Sequence, residues 1–80
     1  MAKKEFAPCK RQEFIKKLRK LGYSGPRPGG KHEYMKSGTY KQTIPSNREY
    51  SVPQLKELLK QVAKGLGRTN PITAEEWENL

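Results

Sequence analysis

Apolar residues recur along this chain with two distinct periods. Phe14, Ile15, Leu18 and Leu21 fall at i, i+1, i+4 and i+7, the stripe of an α-helix over about residues 10–21. Arg11, Lys16, Lys17, Arg19 and Lys20 cover much of the remaining helix surface, and Gly22 supplies a left-handed stop. A second stripe runs through Leu55, Leu58, Leu59, Val62 and Leu66. Ser51 followed by Gln54 forms a capping box before it, Tyr50 and Leu55 suit a hydrophobic staple, and Pro53 is tolerated in the first turn. This helix extends to about residue 64, where Gly65 and Gly67 end it. Thr73 and Glu76 form another capping box, with Ile72 and Trp77 as its staple, and predict a short helix over 74–79.

Between the two long helices the period changes to two. Residues 23–27 read as a short, irregular or edge strand because they contain Pro26. Gly29-Gly30 then turns the chain. Residues 32–36 and 39–44 alternate as two strands joined at Ser37-Gly38, a hairpin turn. This turn sets Met35 opposite Tyr40 and Glu33 opposite Gln42 on one face. The other face carries His32 opposite Thr43, Tyr34 opposite Lys41 and Lys36 opposite Thr39. Met35, Tyr40 and Ile44 suit a core; His32, Tyr34, Lys36 and Lys41 suit solvent. Glu33 and Gln42 then fall on the core side, beyond the cover of the helices. Pro45 ends the hairpin and residues 46–50 read as a polar link.

The order is helix, three short strands, helix and small helix. It predicts a two-layer α+β domain: a three-stranded antiparallel sheet with two helices on one face, its other face open, and a short C-terminal helix. Residues 1–8 read as a flexible arm and 9–80 as a single domain.

Composition adds a direction to this frame. Seventeen Lys and Arg stand against eight acidic residues, a formal net charge of +9. Residues 1–48 hold thirteen Lys and Arg against three Glu, net +10, while residues 49–80 hold four against five, net −1. A basic half joined to a near-neutral one points to a polyanion, nucleic acid first and acidic lipid or protein second. Basic character for solubility alone is the plain alternative. Cys9 is the one cysteine, so no internal disulfide forms and a cytoplasmic setting fits. A single histidine and no Asp argue against a structural zinc site. No apolar run suits a membrane span or a signal peptide.

His32 is the one histidine and follows Gly29-Gly30-Lys31. An imidazole titrates near pH 6.5 and is suited to moving protons at neutral pH. RNA carries its own nucleophile, the 2′-OH. A ribonuclease needs only to take that proton, steady the phosphorus centre with cations and protonate the leaving 5′-oxygen. Lys31, Lys36 and Lys41 are the candidate cations, and this chemistry requires no metal or cofactor. Gly29 and Gly30 could admit a phosphate close to the backbone, or simply satisfy a tight connection. Tyr34 reads either as a base-stacking platform or as a hairpin packing residue. His32 itself reads equally as a surface residue capping a turn.

With these residues in place, the chain resembles the HicA family of toxin ribonucleases over about residues 12–77. The resemblance rests on Phe14-Ile15-Lys16-Lys17-Leu18 leading to Leu21-Gly22-Tyr23, then Gly29-Gly30-Lys31-His32 and Thr43-Ile44-Pro45. It continues through Leu55-Lys56-Glu57-Leu58-Leu59-Lys60-Gln61 and Ile72-Thr73-Ala74-Glu75-Glu76-Trp77. It implies a fold like the double-stranded-RNA-binding domain. It also implies cleavage of messenger RNA as the toxin of a type II toxin-antitoxin pair, and silencing by a HicB-type antitoxin. The family's motif is Gly-Ser-His or Gly-Ser-Asn-His at the start of the second strand, and its catalytic histidine falls on His32. Gly30 stands where that motif has serine. Asn47 stands where many members carry a second histidine. A non-catalytic RNA- or DNA-binding module on the same fold is the alternative function.

Overall fold

The computed structural model of the chain describes residues 5–80. Strand β1 (Cys9–Lys10) leads into helix α1 (Arg11–Lys20), followed by β2 (Ser24–Arg27), β3 (Glu33–Ser37), β4 (Tyr40–Ile44) and β5 (Glu49–Tyr50). Helices α2 (Val52–Gly65) and α3 (Ala74–Glu78) complete the chain. β2, β3 and β4 form a three-stranded antiparallel sheet in that order. Its inner face meets the apolar stripes of both long helices. Phe14, Leu18, Met35, Ile44, Tyr50, Leu55 and Val62 are all fully buried in one core. The two-layer α+β architecture expected from the periodicity is the one observed.

Local chemistry explains the helix ends. Both long helices close in a Schellman motif. Gly22 N–H donates to Arg19 O (3.1 Å) and Tyr23 N–H to Leu18 O (2.9 Å). In the same way Gly67 N–H reaches Lys64 O and Arg68 N–H reaches Ala63 O, both at 3.0 Å. Gly22 and Gly67 take φ of 107° and 72°, the left-handed region such stops require. Gly65 differs from the expected stop. It lies inside α2, and a Cβ there would collide with the Tyr23 hydroxyl and the Tyr40 ring. This glycine serves close packing. Ser51 and Thr73 cap α2 and α3 through Gln54 N–H and Glu76 N–H. The reciprocal half of each capping box is absent, because the two side chains are engaged elsewhere. Gln54 bonds Asn47, and Glu76 forms a bidentate pair with Arg68.

The hairpin register departs from the expected one. Gly38-Thr39 forms the turn, with Gly38 at φ 60°, the first central position that a two-residue hairpin loop reserves for glycine. Met35 therefore pairs with Gln42 and not Tyr40, and Glu33 with Ile44 and not Gln42. Tyr34 faces Thr43 and Lys36 faces Lys41, while His32 precedes the ladder instead of pairing with Thr43. The displacement is two residues, and a strand's side-chain period is two, so every residue keeps its expected face. Gln42 is buried and donates to Gln61 Oε1 at 2.8 Å. The inner face is thus covered farther along the strand than the sequence suggested. β2 is irregular as expected: its register slips between Ser24 and Arg27, where Gly25 takes φ 117°.

The stretch read as a polar link contains β5, which pairs antiparallel with β1 through Cys9–Tyr50 and Lys10–Glu49. Tyr50 drives this pairing. It is fully buried, stands edge-on to Phe14 at 5.2 Å and donates its hydroxyl to Pro45 O at 2.7 Å. Of the arm expected over residues 1–8, residues 1–4 lie outside the described residues, and Phe6 packs against the core. Among the described residues no helix is long and apolar enough to cross a membrane.

Candidate active site

The last rung of the hairpin, Glu33 opposite Ile44, defines one edge of the sheet. Beyond it the chain diverges on both sides, with Gly29–His32 leading into β3 and Pro45–Arg48 leaving β4. With the first turn of α1 these segments enclose an open groove of about 920 Å³. Its lining includes Lys10, Arg11, Lys31, His32, Ser46 and Arg48. His32 is exposed at this rim, and among the described residues its ring makes no hydrogen bond. Both ring nitrogens are therefore available to a ligand.

Arg11 organises the groove. Its guanidinium forms an ion pair with the carboxylate of Glu33, the residue after His32. Its Nε donates to Pro45 O at 3.2 Å, and its backbone N–H donates to Arg48 O at 2.8 Å. One residue thus ties the first turn of α1 to the start of β3 and to the segment leaving β4. The pair also accounts for Glu33 on the inner face, since the carboxylate is met by a cation in the groove lining.

Gly29 is required by proximity. A Cβ there would stand 2.7 Å from His32 O and 3.1 Å from Tyr34 Cδ1. Gly30 faces open space, with nothing within 4 Å of a Cβ, and its φ is not positive. The structure therefore separates two neighbours that look alike in sequence.

Of the residues singled out from the sequence, Lys31 and His32 line the groove. Tyr34, Lys36 and Lys41 do not; they occupy the outward face of the sheet. Lys36 lies opposite Lys41, and Lys41 Nζ stands 5.2 Å from the Tyr34 ring centroid. Like charges placed opposite one another destabilise a strand pair, and a bound anion relieves them. Half-buried Tyr34 both packs on Gly29 and carries this cation.

Three groove cations were not among the sequence candidates: Lys10, Arg11 and Arg48. Arg11 appeared only as part of a charged helix surface, and Arg48 lay in a segment without periodicity. Asn47 does not line the groove. Its Nδ2 donates to Glu49 O at 3.0 Å and to Gln54 Oε1 at 2.9 Å, bracing the loop that carries Arg48. Glu33 and Glu49 offset part of the charge, yet the lining remains net cationic. Such a groove can hold a phosphodiester while an exposed imidazole exchanges a proton with it.

A family model, described as the HicA toxin of bacterial toxin-antitoxin systems, matches residues 11–63. This span includes Arg11, His32 and Arg48. No curated protein and no solved structure matches the chain.

Proposed function

The chain belongs to the HicA family of toxins, and we propose that it acts as an endoribonuclease on messenger RNA, with His32 as its proton-transfer group. A phosphodiester enters the groove beside Lys31 and Arg48. The His32 imidazole takes the 2′-OH proton, the 2′-oxygen bonds to phosphorus and the P–O5′ bond breaks. The leaving 5′-oxygen takes a proton from imidazolium or water, leaving a 2′,3′-cyclic phosphate and a 5′-OH. The nucleophile is internal to RNA, so this step needs one proton carrier and cations to hold the phosphorane. Lys36, Lys41 and Tyr34 extend the cationic track over the outward face.

The observation that carries this reading is the placement of His32, exposed and, among the described residues, without a hydrogen-bond partner, at the rim of a groove lined by Lys10, Lys31 and Arg48. Replacement His32→Ala should lower the cleavage rate by about 10²–10⁴-fold, the usual contribution of a positioned acid–base group. Equal growth arrest and equal transcript decay in wild type and His32→Ala would remove His32 from the reaction.

Membership in a toxin-antitoxin family implies an antitoxin partner. We propose a HicB-type protein with an acidic surface that covers the groove or the outward face. Lys36 opposite Lys41, away from His32, favours a second reading as a non-catalytic RNA- or DNA-binding module. Strongly salt-dependent RNA binding without cleavage, in the presence or absence of EDTA, would support that reading instead.

A further inference from the structure

We infer that Arg48 is a second catalytic group, one that holds the nonbridging phosphate oxygens as charge develops on them; this inference rests on the ribonuclease reading above. A lone imidazole can move protons but cannot neutralise the pentacoordinate dianion formed when the 2′-oxygen attacks. The groove must supply a cation that is both free and fixed.

Among the described residues four cations line the groove, and Arg48 is the one free guanidinium, the planar fork suited to two phosphate oxygens. Arg11 is occupied, with its guanidinium committed to Glu33 and Pro45 O. Lys31 sits in a bend after two glycines, and among the described residues no hydrogen bond holds its backbone, in contrast to Arg48. Lys10 is exposed, and both lysines offer a point charge on a flexible stem. Among the described residues the Arg48 side chain makes no salt bridge and no hydrogen bond, while its carbonyl and the residues on either side of it are tied down. Its carbonyl accepts Arg11 N–H at 2.8 Å. Asn47 before it is tied to Gln54 and to Glu49 O. Pro45 O receives both the Tyr50 hydroxyl and Arg11 Nε, and Glu49 after it enters β5. These bonds hold the segment from which Arg48 projects, and its exposed guanidinium offers a planar fork that matches two oxygens of a phosphate. A donor projecting from a held segment stabilises developing charge with less rearrangement of the loop during the step.

The test compares wild type, Arg48→Ala, Arg48→Lys and His32→Ala on one single-stranded RNA. A matching RNA is made with sulfur in place of one nonbridging oxygen. Circular dichroism and thermal melts establish that each variant is folded. Arg48→Ala should lower kcat by about 100-fold, the effect of losing one oxyanion donor, with KM changed far less. Arg48→Lys should restore part of that loss. Added guanidinium ion should rescue Arg48→Ala and leave His32→Ala inactive. Sulfur substitution should slow wild type more than Arg48→Ala, because the group that senses that oxygen is gone. If His32→Ala is inactive while Arg48→Ala keeps wild-type kcat, or loses only KM, the inference falls and the ribonuclease reading stands. If wild type leaves RNA intact, or His32→Ala cleaves as wild type does, the reading fails and takes the inference with it.

Discussion

Arg11 and Glu33, 22 residues apart in the chain, meet as an ion pair in the lining of the groove, one residue from His32. The pair is half in solvent, with side-chain exposures of 23% and 46%, so its direct contribution to stability is about 0.2–1 kcal/mol. Its larger consequence is positional. Glu33 is the first residue of β3, and fixing it fixes the backbone direction from which His32 projects. Glu33→Gln is expected to lower the melting temperature slightly and RNA cleavage substantially, since a misplacement of about 1 Å can cost up to about 100-fold. Thermal melts alongside single-turnover cleavage check this. A cleavage loss no larger than the small loss of stability would reduce the pair to a surface contact.

Gly29 and Gly30 should respond oppositely to added side chains. A Cβ at Gly29 would meet His32 O at 2.7 Å, so Gly29→Ala forces the connection away from β3 and displaces His32. Cleavage should fall and the protein should lose about 1–3 kcal/mol, as overpacked sites do. Gly30→Ser enters open space at an ordinary φ and should stay within about 0.5 kcal/mol of wild type. Urea unfolding of both variants decides the matter. A Gly30→Ser protein as unstable as Gly29→Ala would contradict the geometry.

Two tyrosines make the fold sensitive to alkali. Burial pushes the phenols of Tyr23 and Tyr50 up from 10.0 to about 12. In the unfolded chain both ionise near pH 10, whereas the folded protein keeps their protons until about pH 12. The folded state binds more protons in that window, so stability is intact below pH 10 and declines as the pH rises toward 12. Melting temperature measured from pH 9 to 12 should fall progressively, and Tyr50→Phe should flatten part of the decline. Tyr23 donates to Val62 O at 2.9 Å and Tyr50 to Pro45 O at 2.7 Å, so ionisation also removes a buried hydrogen bond from each. A melting temperature constant through this range would show that neither phenol is protected.

Local punctuation was the most legible part of the fold. Ser51 and Thr73 announce their helices, and Gly22 and Gly67 close theirs, because caps and left-handed stops depend on a few adjacent residues. The hairpin was half legible. Alternation assigned Met35 and Ile44 to the core, but the turn shifted by one position and moved every cross-strand partner by two. A lone imidazole beside glycines singles out His32 and Lys31 in the sequence, and the structure sets both along the groove. Arg48 has no such signature: it is one cation among many, and its place in the groove depends on residues distant in the chain.

The sequence by itself determined the element order, the faces of the helices and strands, the basic half of the chain and the histidine around which a reaction can be built. These follow from backbone periodicity, capping chemistry and side-chain type, all set within a few residues. Only the tertiary structure decided that Arg11 would be consumed by Glu33, that Gly65 would serve packing against Tyr23 and Tyr40, and that Arg48 would line the same groove as His32, without a side-chain partner among the described residues. A cation's role depends on which partner reaches it first. That competition is resolved when α1, the hairpin and the loop before β5 are brought together in one core.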